Sequence, residues 1–563
     1  MCKQAVSPSS NLFTPWPEAD ANRYRTLGLW LNKNMFHILS DSRVVDKLAV
    51  IDDNKQLTYG QLKANSLALA QGLYQLGIRT GDNVVLQLPN RIEFVETLFA
   101  LFALGAVPVM ALPAHREQEL KHFCAESQAV AYICADQAGG FDYRALARNV
   151  CALTQLKHVF VAGDGQEFYS LDDVKRAGEL GAKSKTSLPV VDNGQSLALL
   201  QLSGGTTNLP KLIPRTHDDY FYSVRESAAV TGLTSESVYL CVLPAAHNFT
   251  LSSAGVLGAL YAGATVILSE HVAPDRVLPI IAKQRVTTVA LVPPLANAWL
   301  QFTQKNRVDT NSLQVVQVGG AKLTGVLAKQ IVATFNCKLQ QVFGMAEGLV
   351  NYTRLHDGPD KTLFTQGCPL SSEDEIKVVA DDDTPVANGE VGHLLTRGPY
   401  TIRGYYNAPE HNATAFTPDG FYRTGDLVRL TGEGYVVVEG RAKDQINRGG
   451  EKISAAELEE LLVGHPGLAD AAVVAMKDSV LGEKTCAFVI KSKQQVYPLG
   501  VNAITNQQTI TLPALRRYLR DIGVAEYKLP DRVVCVEAFP TTKFGKVSKK
   551  ALRETLENIQ QLA

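Results

Sequence analysis

The chain has 563 residues, 46% of them apolar and 20% charged, with 55 basic against 56 acidic side chains and a formal charge of −1. That length predicts at least two domains and that apolar fraction a globular protein, while the charge balance removes any general electrostatic case for binding nucleic acid or a membrane surface. Nine cysteines, scattered singly and with no C-x-x-C pair, fit a reduced protein without a disulfide scaffold or a Cys-based zinc site. The segment Met1 to Trp16 offers Lys3 and then Ser, Asn and Pro where a secretory signal needs an apolar run, so a cytoplasmic location is expected. Leu62–Leu76 reads as an amphipathic helix closed at Gly77, and Asn83–Leu88 as a strand. Thr97–Ala114 is almost wholly apolar, but Gly105, Pro108 and Pro113 interrupt it. It reads as a buried helix (about Glu93–Leu104) that turns into a strand (Val107–Leu112), not as a membrane span.

Val130–Cys134, His158–Val161, Leu197–Leu202, Ser237–Leu243, Thr265–Leu268 and Thr288–Val292 follow as buried strands with helices between them. The alternation predicts α/β layers around largely parallel sheets. From about Gly389 the texture changes to short strands and Gly-rich turns, as in Gly392–Arg397 and Gly420–Gly440, which suggests a small antiparallel or β-barrel-like subdomain. Beyond Gly440 an α+β pattern begins. Ser454-Ala-Ala-Glu457 has the form of a capping box opening a helix to Leu462. Strands at Ala471–Ala475 and Cys486–Ile490, a helix near Pro513–Asp521 and a strand near Arg532–Val536 complete it. The expected fold is α/β: a large N-terminal domain (1–441) and a small, mobile α+β C-terminal domain (442–563). Asp381-Asp382-Asp383 reads as a solvated acidic turn.

Four stretches carry residues suited to chemistry. Ser203-Gly204-Gly205-Thr206-Thr207-Asn208-Leu209-Pro210-Lys211 follows a buried strand with small residues, hydroxyls and a closing Lys. Such a loop wraps phosphate, because glycines admit close approach, amides and hydroxyls donate, and Lys adds a point charge. It is not the common P-loop, since Pro210 precedes the Lys and Leu212 follows it; alone, it also reads as a Gly/Thr turn without function. Tyr422-Arg423-Thr424-Gly425-Asp426, with Gly440-Arg441 after it, places a carboxylate on a Gly turn, as a ribose acceptor requires and as an ordinary hairpin also allows. Glu347 in Val342-Phe343-Gly344-Met345-Ala346-Glu347 follows a strand end and could hold Mg²⁺ or be a solvated loop residue. Lys546 sits on a Gly turn in a basic C-terminal stretch.

In combination and order these stretches resemble the ANL adenylating superfamily, from about Leu57-Thr58-Tyr59 to the C-terminal lysines. Ala246-His247-Asn248-Phe249, Val318–Lys322, Gly344–Thr353, Arg397–Tyr406 and Asp444–Lys452 are similar to the stand-alone aryl-acid AMP ligases of siderophore pathways. That resemblance implies two half-reactions. An aryl carboxylate attacks the α-phosphate of MgATP to give aryl-AMP and pyrophosphate. The phosphopantetheine thiol of an aryl carrier protein then displaces AMP; with so few residues after Lys550, that carrier is expected in trans. The resemblance makes Lys546, with His247 and Lys443, the catalytic candidates: Lys546 bridges the carboxylate and α-phosphate, and Lys443 is the hinge. Glu347 becomes the Mg²⁺ ligand, Asp426 the ribose acceptor and Arg441 a ribose or phosphate contact. Ser203–Lys211 take the pyrophosphate end, and Gly319, Gly320 and Ala321 with Val342, Phe343 and Gly344 flank adenine. Asn208 stands where the family has Gly; Asn tolerates left-handed backbone best among the other residues.

The same resemblance populates the acid pocket with Asn248, Phe249, Ser253, Gly320 and Val350. The Asn248 amide would bond the acid and its ortho hydroxyl. Ser253 and Val350 fall on the side of 2,3-dihydroxybenzoate, where Cys and Leu accompany salicylate; Phe249 falls on the side of salicylate. The expected substrate is 2,3-dihydroxybenzoate. Salicylate, an aryl-CoA synthetase and a non-enzymatic nucleotide-binding regulator are the alternatives, and a fatty acyl chain is disfavoured because it would leave the Asn248 amide unpaired at a cost of about 1–3 kcal/mol.

Overall fold

The computed structural model describes residues 12–181, 188, 193–203, 210–448, 451–478, 481–492, 510–542 and 545–561. They form two compact units: one runs to Ile376 and takes in Thr396–Arg423, and the other holds Lys377–Leu395 and the chain from Thr424 onward.

The first unit is built on two large sheets. In the seven-stranded sheet Asn83–Gln87, Val107–Met110, Ala131–Ala135, His158–Ala162 and Leu197–Leu202 lie parallel, and Leu212–Thr216 returns antiparallel along Leu197–Leu202. In the nine-stranded sheet Leu48–Ile51, Thr265–Leu268, Val238–Cys241, Thr288–Leu291, Val315–Gly319 and Lys338–Gly344 are parallel neighbours. The antiparallel strands Val350–Tyr352 and Cys368–Pro369 extend one edge. Asn83–Gln87, Ala131–Ala135 and Val315–Gly319 are buried throughout, as strands of a parallel sheet covered on both faces are, and they are apolar apart from the buried amides of Asn83, Gln87 and Gln317.

Helix Ile92–Leu104 ends at Gly105 in the left-handed region, and Val107–Met110 follows, so the apolar stretch is indeed a buried helix and strand. Among the described residues no helix is long and apolar enough to cross a membrane. The first helix starts earlier than its apolar periodicity suggested, at Tyr59, because Thr58 and Gln61 form a reciprocal capping box that the periodicity does not register.

The chain passes between the units within Glu375–Val379, Gly392–Arg397 and Tyr422–Leu430, which with Val436–Arg441 make a four-stranded sheet in sequence order. The rest of the second unit is α+β, as its sequence texture indicated. Its central hairpin, Leu468–Asp478 with Gly482–Lys491, is longer than the apolar cores Ala471–Ala475 and Cys486–Ile490, because its ends are polar. One face packs on helices Ala455–Val463 and Leu512–Asp521 through Leu458, Leu462, Leu515 and Leu519, and the other on Leu552 and Leu556 of Lys549–Gln561. The Ser454 cap is present but half a box. Ser454 accepts from the Glu457 N–H, while the Glu457 carboxylate pairs with Lys528 at 2.7 Å.

Candidate active site

The carboxyl edge of the nine-stranded sheet gathers the acid-pocket and adenine candidates, the place where open α/β sheets bind ligands. Val315–Gly319 delivers Gly319, Gly320 and Ala321, and its parallel neighbour Lys338–Gly344 delivers Val342, Phe343 and Gly344, with Gly319 directly opposite Val342. Val238–Cys241, two strands away, leads through Leu243-Pro244-Ala245 to the short helix Asn248–Ser252. Asn90 fastens that turn: its Nδ2 donates to the carbonyls of Leu243 and Ser269 at 2.9 and 3.0 Å, and its Oδ1 accepts from the Ala245 N–H at 2.8 Å. His247 caps the helix through Nδ1, which accepts from the Phe249 N–H at 3.2 Å.

Asn248, Phe249, Ser253 and Val350 are all buried. Phe249 lies so close to Gly319 that a Cβ there would stand 3.0 Å from the ring and 2.8 Å from the Val342 carbonyl. The acid-pocket aromatic and the adenine strand ends therefore adjoin. Val350 pairs opposite Gly344. The Asn248 Oδ1 accepts from the Tyr220 hydroxyl at 2.9 Å and the Ser252 hydroxyl at 3.2 Å. Near this pocket Tyr352, a fully buried phenol, donates to Ser227 at 2.9 Å, and burial holds it well above its ordinary pKa.

The phosphate-loop candidates span the turn between Leu197–Leu202 and Leu212–Thr216. Gly204, Gly205, Thr206, Thr207 and Asn208 lie outside the described residues. The stem is closed both ways: the Ser203 N–H donates to the Lys211 carbonyl and the Lys211 N–H to the Ser203 hydroxyl, each at 2.9 Å. The Lys211 ammonium sits 5.7 Å from the centre of the Tyr405 ring. The Tyr405 hydroxyl in turn donates to Glu347 at 2.8 Å and lies 2.8 Å from that of Tyr422. Glu347 is 8% exposed, on a turn in which Gly348, at φ +153°, passes so near Thr401 that a Cβ would meet its Cα at 2.5 Å. Arg215 supports the same turn from below. Its guanidinium pairs with Asp219 at 2.7 Å and donates to the Ala346 and Tyr400 carbonyls at 2.9 and 3.2 Å. Among the described residues no group of three or more His, Cys, Asp or Glu is arranged to hold a metal. A lone carboxylate such as Glu347 suits a divalent ion held mainly by phosphate and water.

The second unit holds the remaining candidates. Asp426 and Arg441 face each other across the Tyr422–Leu430 and Val436–Arg441 pair, with the guanidinium 2.7 Å from the carboxylate. The Asp426 N–H donates to the Thr424 hydroxyl, which donates to the Leu394 carbonyl, so the carboxylate is rigidly presented. Lys443 lies in the single 3-10 turn Ala442–Asp444, and burial lowers its pKa. Lys546 closes a tight turn: the Thr542 N–H donates to its carbonyl at 2.6 Å, and Gly545 supplies the left-handed φ of +79° that the turn needs. Burial, with repulsion from Arg441, lowers the Lys546 pKa to about 8 against the attraction of Asp426. Asp426, Arg441 and Lys546 thus form one electrostatic group.

Tyr220, Ser252, Arg215 and Asn90 were not singled out from the sequence, and no motif marks them; Tyr352 fell inside the Gly344–Thr353 motif, which gave it no role. Tyr405 fell inside the Arg397–Tyr406 motif, but nothing in the motif assigned its hydroxyl to Glu347.

The candidate residues placed above are of the types an adenylate-forming ligase needs. Residues 40–406 match the AMP-binding enzyme family and residues 457–546 the AMP-binding enzyme C-terminal domain, and the chain belongs to that family. It is 51% identical to the 2,3-dihydroxybenzoate-AMP ligase of Bacillus subtilis (strain 168), covering 97% of both chains. It is 44% identical to the salicyl-AMP ligase / salicyl-S-ArCP synthetase of Mycobacterium tuberculosis, over 97% of this chain and 95% of that one. Among solved structures it matches apo MbtA of Mycobacterium smegmatis with TM-score 0.74 and 43% identity, covering 98% of this chain and all of that one. The likeness to the stand-alone aryl-acid AMP ligases therefore extends along nearly the whole chain.

Proposed function

We propose that this chain activates 2,3-dihydroxybenzoate with ATP and passes the aryl group to the phosphopantetheine thiol of a carrier protein supplied in trans, in siderophore biosynthesis in the cytoplasm. The observation that carries the choice of an aryl acid is the buried Asn248 amide, next in the chain to Phe249, whose ring meets the Gly319 strand end. A buried polar anchor beside an aromatic side chain suits a hydroxylated ring and not an alkyl chain, which would leave the amide unpaired. The 51% identity to a 2,3-dihydroxybenzoate-AMP ligase supports the same reading.

In the first half-reaction a carboxylate oxygen of the acid attacks the α-phosphorus, the new O–P bond forms, and pyrophosphate leaves. Little covalent work falls to side chains, so catalysis is alignment plus stabilisation of charge on the phosphoryl oxygens. The Asn248 amide orients the acid, and His247 holds the helix that carries it. Ser203–Lys211 grip the pyrophosphate end, Asp426 and Arg441 take the ribose, and the Lys546 ammonium bridges carboxylate and α-phosphate. Glu347 would hold Mg²⁺, which supplies charge neutralisation on the phosphates. In the second half-reaction the thiol attacks the acyl carbon and AMP leaves. A boundary near 441/442, with Lys443 as hinge, would let the C-terminal domain (442–563) serve both steps in turn over the N-terminal domain (1–441).

Salicylate is the second reading, favoured by Phe249, which brings no hydroxyl to the ring. The deciding experiment is acid-dependent ATP–pyrophosphate exchange with 2,3-dihydroxybenzoate, salicylate and benzoate, with free coenzyme A compared against a carrier protein as acceptor. Exchange led by 2,3-dihydroxybenzoate, with transfer to the carrier, is expected. Exchange with none of the three acids overturns the proposal.

A further inference from the structure

We infer that Tyr220 is a positioning residue for the acid: its hydroxyl fixes which way the Asn248 amide faces, and so sets affinity for ortho-hydroxylated aryl acids. This rests on the aryl-acid reading above. An Asn side chain can present either its oxygen or its NH₂ to a ligand, and only the NH₂ can donate to a carboxylate and to an ortho oxygen at once. Unconstrained, the terminal torsion of Asn is broad and roughly two-fold, so the sequence Asn248 does not specify the facing atom.

The neighbours specify it. Tyr220, fully buried on helix His217–Thr231, has one hydroxyl proton. It accepts from Gln201 Nε2 at 3.4 Å and therefore spends that proton on Asn248 Oδ1, at 2.9 Å. Ser252, one helical turn beyond Asn248, has one hydroxyl proton to share between the Asn248 carbonyl at 3.1 Å and Oδ1 at 3.2 Å. The Tyr220 donor on Oδ1, with Ser252 in part, turns the NH₂ group away. The anchor is also tied to the nucleotide side, because Gln201 lies two residues before Ser203, at the end of the strand that opens the phosphate loop. The Arg215 guanidinium stacks 4.7 Å over the Tyr220 ring, and a phenylalanine keeps that contact and the shape of the site. Tyr220→Phe thus removes the donor to Asn248 and the weak 3.4 Å acceptor of Gln201 while keeping the ring in place.

The test is calorimetric titration of the full-length chain with 2,3-dihydroxybenzoate, salicylate and benzoate, plus pyrophosphate-exchange kinetics, for wild type, Tyr220→Phe, Asn248→Ala and the double variant. Tyr220→Phe is expected to weaken both ortho-hydroxylated acids about fivefold, or about 1 kcal/mol at 1.4 kcal/mol per decade. Benzoate is expected to move less than twofold, and KM for ATP to stay put. In the Asn248→Ala background Tyr220→Phe is expected to add nothing, since a residue acting through Asn248 has nothing left to position. A loss that adds in full to that of Asn248→Ala, or falls equally on benzoate, refutes the positioning role. So does an unchanged Tyr220→Phe when wild type binds and activates the hydroxylated acids. A wild type that binds no aryl acid overturns instead the reading on which the inference rests.

Discussion

Replacing Arg215 by Met tests how the Glu347 turn is held. Arg215 is 1% exposed and Asp219 is fully buried, so their 2.7 Å pair is out of reach of solvent. The substitution keeps most of the side chain's bulk but leaves a buried carboxylate and strips a donor from the Ala346 and Tyr400 carbonyls. Breaking one partner out of a buried pair costs about 3–5 kcal/mol. At about 2.1 cal/mol/K of unfolding entropy per residue, a unit of roughly 400 residues then melts about 4–6 °C lower. The cost has a pH signature. Burial already holds the Asp219 carboxyl above its ordinary pKa even with Arg215 beside it, and without Arg215 it rises further. A carboxyl whose folded pKa exceeds its unfolded one keeps a proton that the unfolded chain releases, so the penalty is small near pH 4 and grows as pH rises toward the folded pKa. Calorimetric melts at pH 5 and pH 8 are therefore expected to show the larger deficit at pH 8. Arg215→Met with Asp219→Asn, which removes the stranded charge, is expected to recover most of the loss and to show no such pH trend. A single variant within 1 kcal/mol of wild type, or a deficit independent of pH, would refute the account.

Lys546→Ala is expected to lower aryl-AMP formation by roughly 2.7–4 kcal/mol, as deleting one positioned charge donor does, while thioester formation from supplied aryl-AMP survives; equal loss in both steps would remove Lys546 from the first. With a pKa near 8, the Lys546 ammonium is lost as pH rises, so adenylation is expected to fall above about pH 8 in wild type, and Lys546→Arg, weaker throughout, is expected to lose that limb because Arg stays charged. Lys443→Pro, in the 3-10 turn Ala442–Asp444, fixes φ at about −65° at a hinge that must change its backbone angles; pyrophosphate exchange is expected to persist and transfer to the carrier to stop, and the reverse pattern would show the hinge to lie elsewhere. Because a single hydroxyl can be satisfied by water or backbone when the 3-hydroxyl is missing, wild type is expected to favour 2,3-dihydroxybenzoate over salicylate only about fivefold in kcat/KM, about 1 kcal/mol, and Ser253→Cys with Val350→Leu to erase that preference; an unchanged ratio would show that these two side chains do not read the ring.

Local order was legible in the chain itself. Parallel strands such as Val130–Cys134 and Thr288–Val292 announce themselves because both their faces are buried, and Gly105 stops a helix wherever the rest of the chain goes. The motif residues Lys211, Asn248, Glu347, Asp426 and Lys546 were legible for a similar reason: their chemistry needs particular residue types in a fixed order along the chain. The partners that give those residues their properties were not. Tyr220 reaches Asn248 across 28 positions, Arg215 reaches Ala346 across 131, and Tyr405 reaches Glu347 across 58. None of these tyrosines and arginines differs from its many copies elsewhere in any local pattern, since a hydroxyl or guanidinium acquires a role only from what the fold sets within 3 Å of it. Sequence named the candidate residues, and tertiary structure decided which way their atoms face and what holds their charge, because hydrogen-bond direction and desolvation are properties of surroundings assembled from distant parts of the chain.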